Sequence, residues 1–219
     1  MVYYLGLSLL SNKHDNPHKA ERRKLLSAEA RRILSQLEGR PLAQDDIATD
    51  AAGRPFFPNR DTDFSISHSG NLAAVSLTAG KNLRTGCDVE LVRPRAKAQA
   101  IAEDFFTVPE RDYIESDGGF DIIRFYQIWT LKECFLKLRR LSVFDMANVP
   151  SFISDKDSSQ FAFGADSVSP LLFSLYELSG NAGERYMLAS AIAGTESEQP
   201  EIRWFSQEEL VICNIKTFL

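Results

Sequence analysis

Cysteine is scarce in this chain of 219 residues: Cys87, Cys134 and Cys213 are scattered and form no C-x-x-C pair. Such a set indicates neither a disulfide framework nor a thiolate zinc site. No apolar run approaches the ~18 residues that a membrane span requires, so no membrane association is expected. A basic excess is missing as well. The 25 Lys and Arg stand against 30 Asp and Glu, for a net charge of −5, whereas a general nucleic-acid binder carries a basic footprint. The opening segment, Val2 to Ser8, is apolar without the basic leader of a signal peptide, and a cytoplasmic protein is expected. Walker and dinucleotide-binding glycine loops are absent. So are the G-x-S-x-G elbow and the kinase signatures. Low-complexity tracts and internal sequence repeats are not found.

What is present has the pattern of a mixed protein. Val2 to Leu10 is short, apolar and aromatic, which predicts a buried strand. Asn12–Pro17 reads as a polar turn. From Lys19 to Leu37 the residues Leu25, Leu26, Ala30, Ile33, Leu34 and Leu37 recur with helical spacing, with basic residues filling much of the rest. Gly39 and Pro41 are stop signals after it. A polar loop with Gly53-Arg54-Pro55 leads into a hydroxyl-rich stretch around His68, read as a loop at the mouth of a strand from Leu72 to Thr78. Gly80-Lys81-Asn82 is a turn, and Thr85 to Val92 is the next strand. Gln99 to Phe106 reads as helical and Pro109 opens a further turn or helix. Ile122 to Leu138 is the longest predicted helix. Ser151–Ile153, Gln160–Phe163, Leu171–Leu178 and Tyr186–Ile192 read as strands, Thr195 to Glu201 as a loop, and the tail as weakly structured or strand-like. Each half thus runs strand, helix, then strands. The expected fold class is α+β, with two similar lobes spanning 1–95 and 96–219.

Two segments carry chemistry. In Gly86-Cys87-Asp88-Val89-Glu90 a strand sends Asp88 and Glu90 to one face and Cys87 and Val89 to the other. In Trp129 to Lys137 a helix stacks Trp129, Glu133 and Lys137 along one side. Hard divalent cations take carboxylate oxygens, and magnesium is usually held by one or two carboxylates plus substrate phosphate. A lysine one turn beyond Glu133 can meet the same phosphate as a point charge. Each piece also has a plain reading: exposed strand charges, an i,i+4 surface pair, a core tryptophan. Arg54 in its stiff loop and His68 among serines are further phosphate-binding candidates, and each is weak when taken singly.

Taken in order, these pieces resemble the 4'-phosphopantetheinyl transferase superfamily, in the longer form found with surfactin synthesis. The resemblance rests on Gly53-Arg54-Pro55, Phe64-Ser65-Ile66-Ser67-His68-Ser69, Gly86 to Glu90, Phe106-Thr107-Val108-Pro109-Glu110, and Trp129 to Lys137. These motifs span residues 53 to 137. The resemblance implies a pseudo-dimer of two α+β lobes in one monomeric chain, with coenzyme A in the cleft between them. By motif position it implies that Asp88, Glu90 and Glu133 hold Mg2+ on the pyrophosphate and that Lys137 contacts the same phosphates. It assigns Arg54 and His68 to the 3'-phosphate and Ser67 to the adenosine portion. Lys132 matches the motif with a less defined place in binding, and Glu110 matches without an assigned role. Further 3'-phosphate contacts fall to Arg22 or Arg31. The implied reaction moves phosphopantetheine from coenzyme A to a serine of an acyl or peptidyl carrier protein, with Glu133 and Lys137 as catalytic residues. The alternatives are a coenzyme A-binding protein without transfer and a magnesium-dependent pyrophosphate hydrolase.

Overall fold

The structure, a computed structural model, describes residues 2–10, 19–51, 53–58, 60–154, 161, 170–180, 183–194, 199–206 and 210–218. The fold is mixed α+β. In chain order the first part holds β1 (Val2–Leu9), α1 (Lys19–Glu38), β2 (Ala48–Thr49), β3 (Pro55–Phe56), β4 (Thr62–Ser69) and β5 (Leu72–Ala79). Then come β6 (Arg84–Leu91), α2 (Ala98–Phe105), α3 (Val108–Glu115), α4 (Ile122–Arg139), β7 (Leu171–Ser179), β8 (Arg185–Ala193), β9 (Glu201–Trp204) and β10 (Val211–Phe218). One sheet has the order β4-β5-β1-β9 and the other β10-β7-β8-β6.

Helix α1 covers the first sheet. Its apolar stripe of Leu26, Ala30, Ile33, Leu34 and Leu37 packs on Phe64, Ala73, Val75 and Leu77. The helix stops where the sequence signals it. Gly39 takes φ 71°, while Gly39 N–H bonds to Gln36 O and Arg40 N–H to Ser35 O. This is the Schellman arrangement, in which a left-handed residue satisfies the last carbonyls.

Helix α4 is buried along nearly its whole length and packs on the second sheet through Phe125, Ile128, Leu131, Cys134 and Leu138. Asp121 caps its start, accepting from Ile123 N and Arg124 N. Gly86 lets it approach β6: a Cβ at that position would lie 2.5 Å from Cys134 O and 2.9 Å from Leu138 N. That close approach brings the Glu133–Lys137 turn of α4 alongside Asp88.

The sheets meet where β4 runs beside β6, and side chains take the place of a backbone ladder. Asp63 Oδ2 accepts from Thr85 N at 2.9 Å. Ser67 Oγ accepts from Val89 N at 3.2 Å and Ser69 Oγ from Leu91 N at 3.0 Å. Cys87 Sγ donates to Ser65 O at 3.3 Å. A constant offset of 22 residues runs through these links. The strand expected to alternate does so: Cys87 and Val89 are buried in the core with Leu5, Leu7 and Leu188.

Several expectations change. The hydroxyl-rich stretch is strand β4 rather than a loop, because Ser65, Ser67 and Ser69 face β6 while Phe64 and Ile66 face α1. Ser151–Ile153 does not form a strand; Ile153 makes only an isolated bridge to Phe161. Glu201 opens β9, which pairs in parallel with β1, and the tail is β10, paired with β7. Strand β6, placed before a boundary at residue 95, forms its ladder with β8 in the second sheet. Asn12–Pro17 lies outside the described residues, as do most of Gln160–Phe163 and residues 195–198 of the expected loop.

Candidate active site

The seam between the sheets gathers most of the candidate residues. Asp88 is buried, and its Oδ1 accepts from Lys137 Nζ at 2.7 Å and from Ser67 Oγ at 2.8 Å. Lys137 Nζ also lies 3.0 Å from Ser67 Oγ. One residue pair along, Glu90 accepts from Ser69 Oγ at 3.0 Å and from Trp129 Nε1 at 3.2 Å. The structure therefore brings Ser67, Asp88 and Lys137 into one cluster, with Glu90 fixed beside it by the tryptophan that begins the helix motif.

Glu133 completes this group electrostatically. Burial pushes its pKa up to about 7; the charges of Asp88 and Glu90 add to the rise, and Lys137 and Arg95 oppose it. Burial and Asp88 also raise Glu90. Burial alone pulls Lys137 down, but Asp88 and the other negative groups around it leave it above its ordinary value. The arrangement is a pocket of excess negative charge for which one lysine is insufficient compensation. Arg95, whose guanidinium lies 4.8 Å over the Trp129 ring, has no counterpart among the residues singled out from the sequence.

Among the described residues, no group of three or more His, Cys, Asp and Glu is gathered closely enough to hold a metal ion. Lys137 occupies one oxygen of Asp88, and Glu90 is turned to Ser69 and Trp129. The donor chemistry nevertheless fits a hard cation. Asp88 Oδ2 is buried without a hydrogen-bond partner among the described residues, and Glu133 carries a pKa raised by burial and by two neighbouring carboxylates. Carboxylate oxygens of this kind are what Mg2+ takes.

The remaining predicted residues are placed differently. His68 is half-buried on β4; burial pulls its pKa down, and Lys137 and Arg23 lower it further. Arg23 is thus the residue of α1 whose charge reaches His68. Ser67 is tied to Asp88, Lys137 and Val89 N rather than open for an adenosine. Lys132 does not join the site at all. It points to the far side of α4, fully buried, in a 3.1 Å ion pair with the equally buried Glu110, and it donates to Val149 O at 3.1 Å. Adjacent residues on a helix diverge by about 100°, so the neighbour of Glu133 faces the opposite core. Glu110 thereby gains a role: it also accepts from Thr107 N and Phe152 N, both at 2.9 Å.

A cleft of about 450 Å3 opens beside the cluster, lined by Arg54, Phe64, Ile66, Glu133, Lys137 and Arg140 among others. Arg54 is in its wall, but the guanidinium is committed to protein. Its Nη2 reaches Asp63 Oδ2 at 3.1 Å, Phe64 O at 2.8 Å and Thr85 O at 3.1 Å. Its Nη1 donates to Lys137 O, placing a cation on the C-terminal carbonyls of α4, where the helix dipole favours it. Arg140 holds the left-handed position after α4 at φ 58°. Its N–H bonds to Lys137 O and Leu141 N–H to Leu136 O, the same pattern that Gly39 makes after α1. An L-residue there costs about 1–2 kcal/mol relative to glycine's freedom.

A seam of carboxylates and a lysine thus lies between one mixed and one antiparallel sheet and opens on a cleft lined by Arg54, Lys137 and Arg140. Residues 84–190 match the sequence model of the 4'-phosphopantetheinyl transferase superfamily. It is 33% identical to the 4'-phosphopantetheinyl transferase AcpT of Escherichia coli (strain K12) over 110 residues, covering 48% of this chain and 54% of that one. Identity to the AcpT of Salmonella typhi is 30% over 121 residues, covering 55% and 59%. To the 4'-phosphopantetheinyl transferase Sfp of Bacillus subtilis (strain 168) it is 33% over 100 residues, covering 44% and 42%. The chain spans about half the length of the curated relatives it matches.

Proposed function

We propose that this protein transfers the 4'-phosphopantetheine group of coenzyme A to a serine hydroxyl of an acyl or peptidyl carrier protein, leaving adenosine 3',5'-bisphosphate. The observation that carries this reading is the convergence of Asp88 and Glu90 from β6 with Glu133 and Lys137 from α4, beside a cationic cleft and inside the segment that matches the superfamily.

The chemistry is positioning and charge neutralisation, as phosphoryl transfer requires. Asp88, Glu90 and Glu133 would hold Mg2+, which supplies Lewis-acid charge to the pyrophosphate. Lys137 Nζ, held by Asp88 and Ser67, offers its positive charge to the same phosphates. The serine oxygen of the carrier bonds to the phosphorus bearing the pantetheine arm, and the bond from that phosphorus to the bridging oxygen breaks. Glu133 accepts the hydroxyl proton, a task that a carboxylate with a raised pKa suits near neutrality. The electron pair of the broken bond leaves on the adenosine bisphosphate, where Lys137 offsets it. His68, with the charge of Arg23 reaching it, is the proposed 3'-phosphate side of the site, while Arg54 and Ser67 support it through their protein partners. Lys132 contributes by holding α4 to α3 rather than by touching coenzyme A.

The two-lobe architecture belongs to this proposal. The order β4-β5-β1 in one sheet recurs as β7-β8-β6 in the other, each built as strand, helix, then hairpin. By this repeat the second lobe begins at β6, earlier than residue 95. The longer, surfactin-type form, a monomer working in the cytoplasm, is part of the same reading, supported by unpaired cysteines of which Cys87 and Cys134 are buried. No helix among the described residues is long and apolar enough to cross a membrane. For the carrier, the cleft is edged by the exposed Leu141 and Val143, and their sequence neighbours Arg139 and Phe144 are exposed too, the latter 91%.

Intact-mass measurement of an apo-carrier incubated with the protein, coenzyme A and Mg2+ tests the proposal. A gain of one phosphopantetheine mass supports transfer. Bisphosphate released without carrier modification supports the hydrolase, and an unchanged carrier with bound coenzyme A supports a binding protein.

A further inference from the structure

Arg140 is an arginine where the chain has reason to place a glycine. Helices α1 and α4 end in the same hydrogen-bonded turn, yet α1 uses Gly39 and α4 uses Arg140 at the left-handed position. Backbone strain kept at a cleft is a pointer to function when something else supports it. Here the support is electrostatic. Asp63 is buried and shared by two guanidiniums: Arg54 Nη2 lies at 3.1 Å from Oδ2, and Arg140 Nη2 at 3.5 Å from Oδ1. Behind this cleft one buried negative charge thus faces two positive ones. Arg54 is 10% exposed and its Nη groups are committed to Asp63 and three carbonyls, whereas Arg140 is 35% exposed and its guanidinium has, among the described residues, only the long contact to Asp63 and a place 5.8 Å over the Phe56 ring. Both line the same cleft as Lys137 and Glu133.

We infer that Arg140, rather than Arg54, is the guanidinium that contacts a substrate phosphate in this cleft. The inference rests on the proposed coenzyme A reading for the identity of the ligand, but the chemistry it requires is a phosphate. In coenzyme A that group is either the 3'-phosphate or the pyrophosphate. Lys137 already faces the carboxylates, and Arg140 lies a turn further along the helix end, so a second anionic group beyond the first is the occupant this spacing suits. Leu136, Leu141, Val143 and Phe64 give the rest of the wall an apolar character that fits the base and ribose between them.

The test is Arg140→Gly, which keeps the left-handed turn and is expected to fold at least as well as the parent, as thermal unfolding will show. Calorimetric titration then compares coenzyme A, 3'-dephospho-coenzyme A, pantetheine and inorganic pyrophosphate on both proteins. Removing a charge-assisted hydrogen bond to a phosphate corresponds to about 10- to 100-fold weaker binding. Weakening confined to coenzyme A supports the inference with the 3'-phosphate as partner; equal weakening of coenzyme A and its 3'-dephospho form, with pantetheine unchanged, supports it with the pyrophosphate. Unchanged affinity for every phosphate-bearing probe overturns it, as does an equal loss for pantetheine. If the parent protein does not bind coenzyme A, the functional proposal fails separately, and inorganic pyrophosphate still decides the role of Arg140: weaker binding to the variant supports it and equal binding refutes it.

Discussion

Replacing Glu133 by Gln should make the metal-free protein more stable while removing its activity. The Glu133 carboxyl titrates at about 7 in the folded chain against an ordinary 4.5. It therefore holds its proton more tightly folded than unfolded. Below pH 4.5 both states are protonated and the group contributes nothing to stability. As pH rises from 4.5 to 7 the unfolded chain ionises first, so stability falls across that window, and above 7 the loss is complete. At ~1.4 kcal/mol per unit the full loss is about 3 kcal/mol. Partial exposure of Glu133 to solvent reduces this to about 1–2 kcal/mol. Urea unfolding of parent and Glu133→Gln in excess chelator should show the variant more stable by that amount at pH 8 and by about a quarter of it at pH 5. Added Mg2+ at pH 8 should stabilise the parent and narrow the gap. A variant no more stable than the parent at pH 8, or a gap independent of pH, would refute the picture of three crowded carboxylates.

Lys132→Met leaves Glu110 buried without its cation and should cost about 3–5 kcal/mol of stability; the double variant with Glu110→Gln should recover most of it in the same urea assay, and no recovery would contradict a paired structural role. Gly86→Ala drives a methyl into the backbone of α4 and should destabilise by about 1–3 kcal/mol and lower turnover together, whereas a neutral effect on both would show that the helix does not need this close approach. Lys137→Ala should slow turnover about a hundredfold or more with a smaller change in coenzyme A affinity, measured by steady-state kinetics and titration; the reverse split would assign the lysine to binding alone.

Sequence periodicity makes the central part of the site legible. Alternation in Gly86 to Glu90 separates the buried Cys87 and Val89 from the carboxylates, and the four-residue step in α4 puts Trp129, Glu133 and Lys137 on one side. Strand β4 is not legible, because both of its faces are covered: small serines turn to β6 and apolar residues to α1, so no polar-out face marks it as a strand. Lys132 escapes sequence reasoning for a different reason. Adjacency to Glu133 in a motif says nothing about direction, and the helix turns it into the opposite core. Arg54 does lie at the cleft, yet its motif could not reveal that Asp63, Phe64 O, Thr85 O and Lys137 O already claim its guanidinium. Asp63, Arg95 and Arg140 carry no local signal; they matter only through residues brought near by folding. The same holds for β9, four residues long and paired with a strand nearly two hundred positions earlier.

The central claim is transfer of phosphopantetheine from coenzyme A to a carrier serine, and its most direct test is stoichiometry. Holo-carrier and adenosine 3',5'-bisphosphate should be quantified in one reaction with coenzyme A, apo-carrier and Mg2+, and again with a carrier whose acceptor serine is replaced by alanine. Equal amounts of the two products, both abolished by the alanine carrier, are predicted. Bisphosphate formed in excess of holo-carrier, or formed equally well with the alanine carrier, would contradict the account and leave hydrolysis in its place.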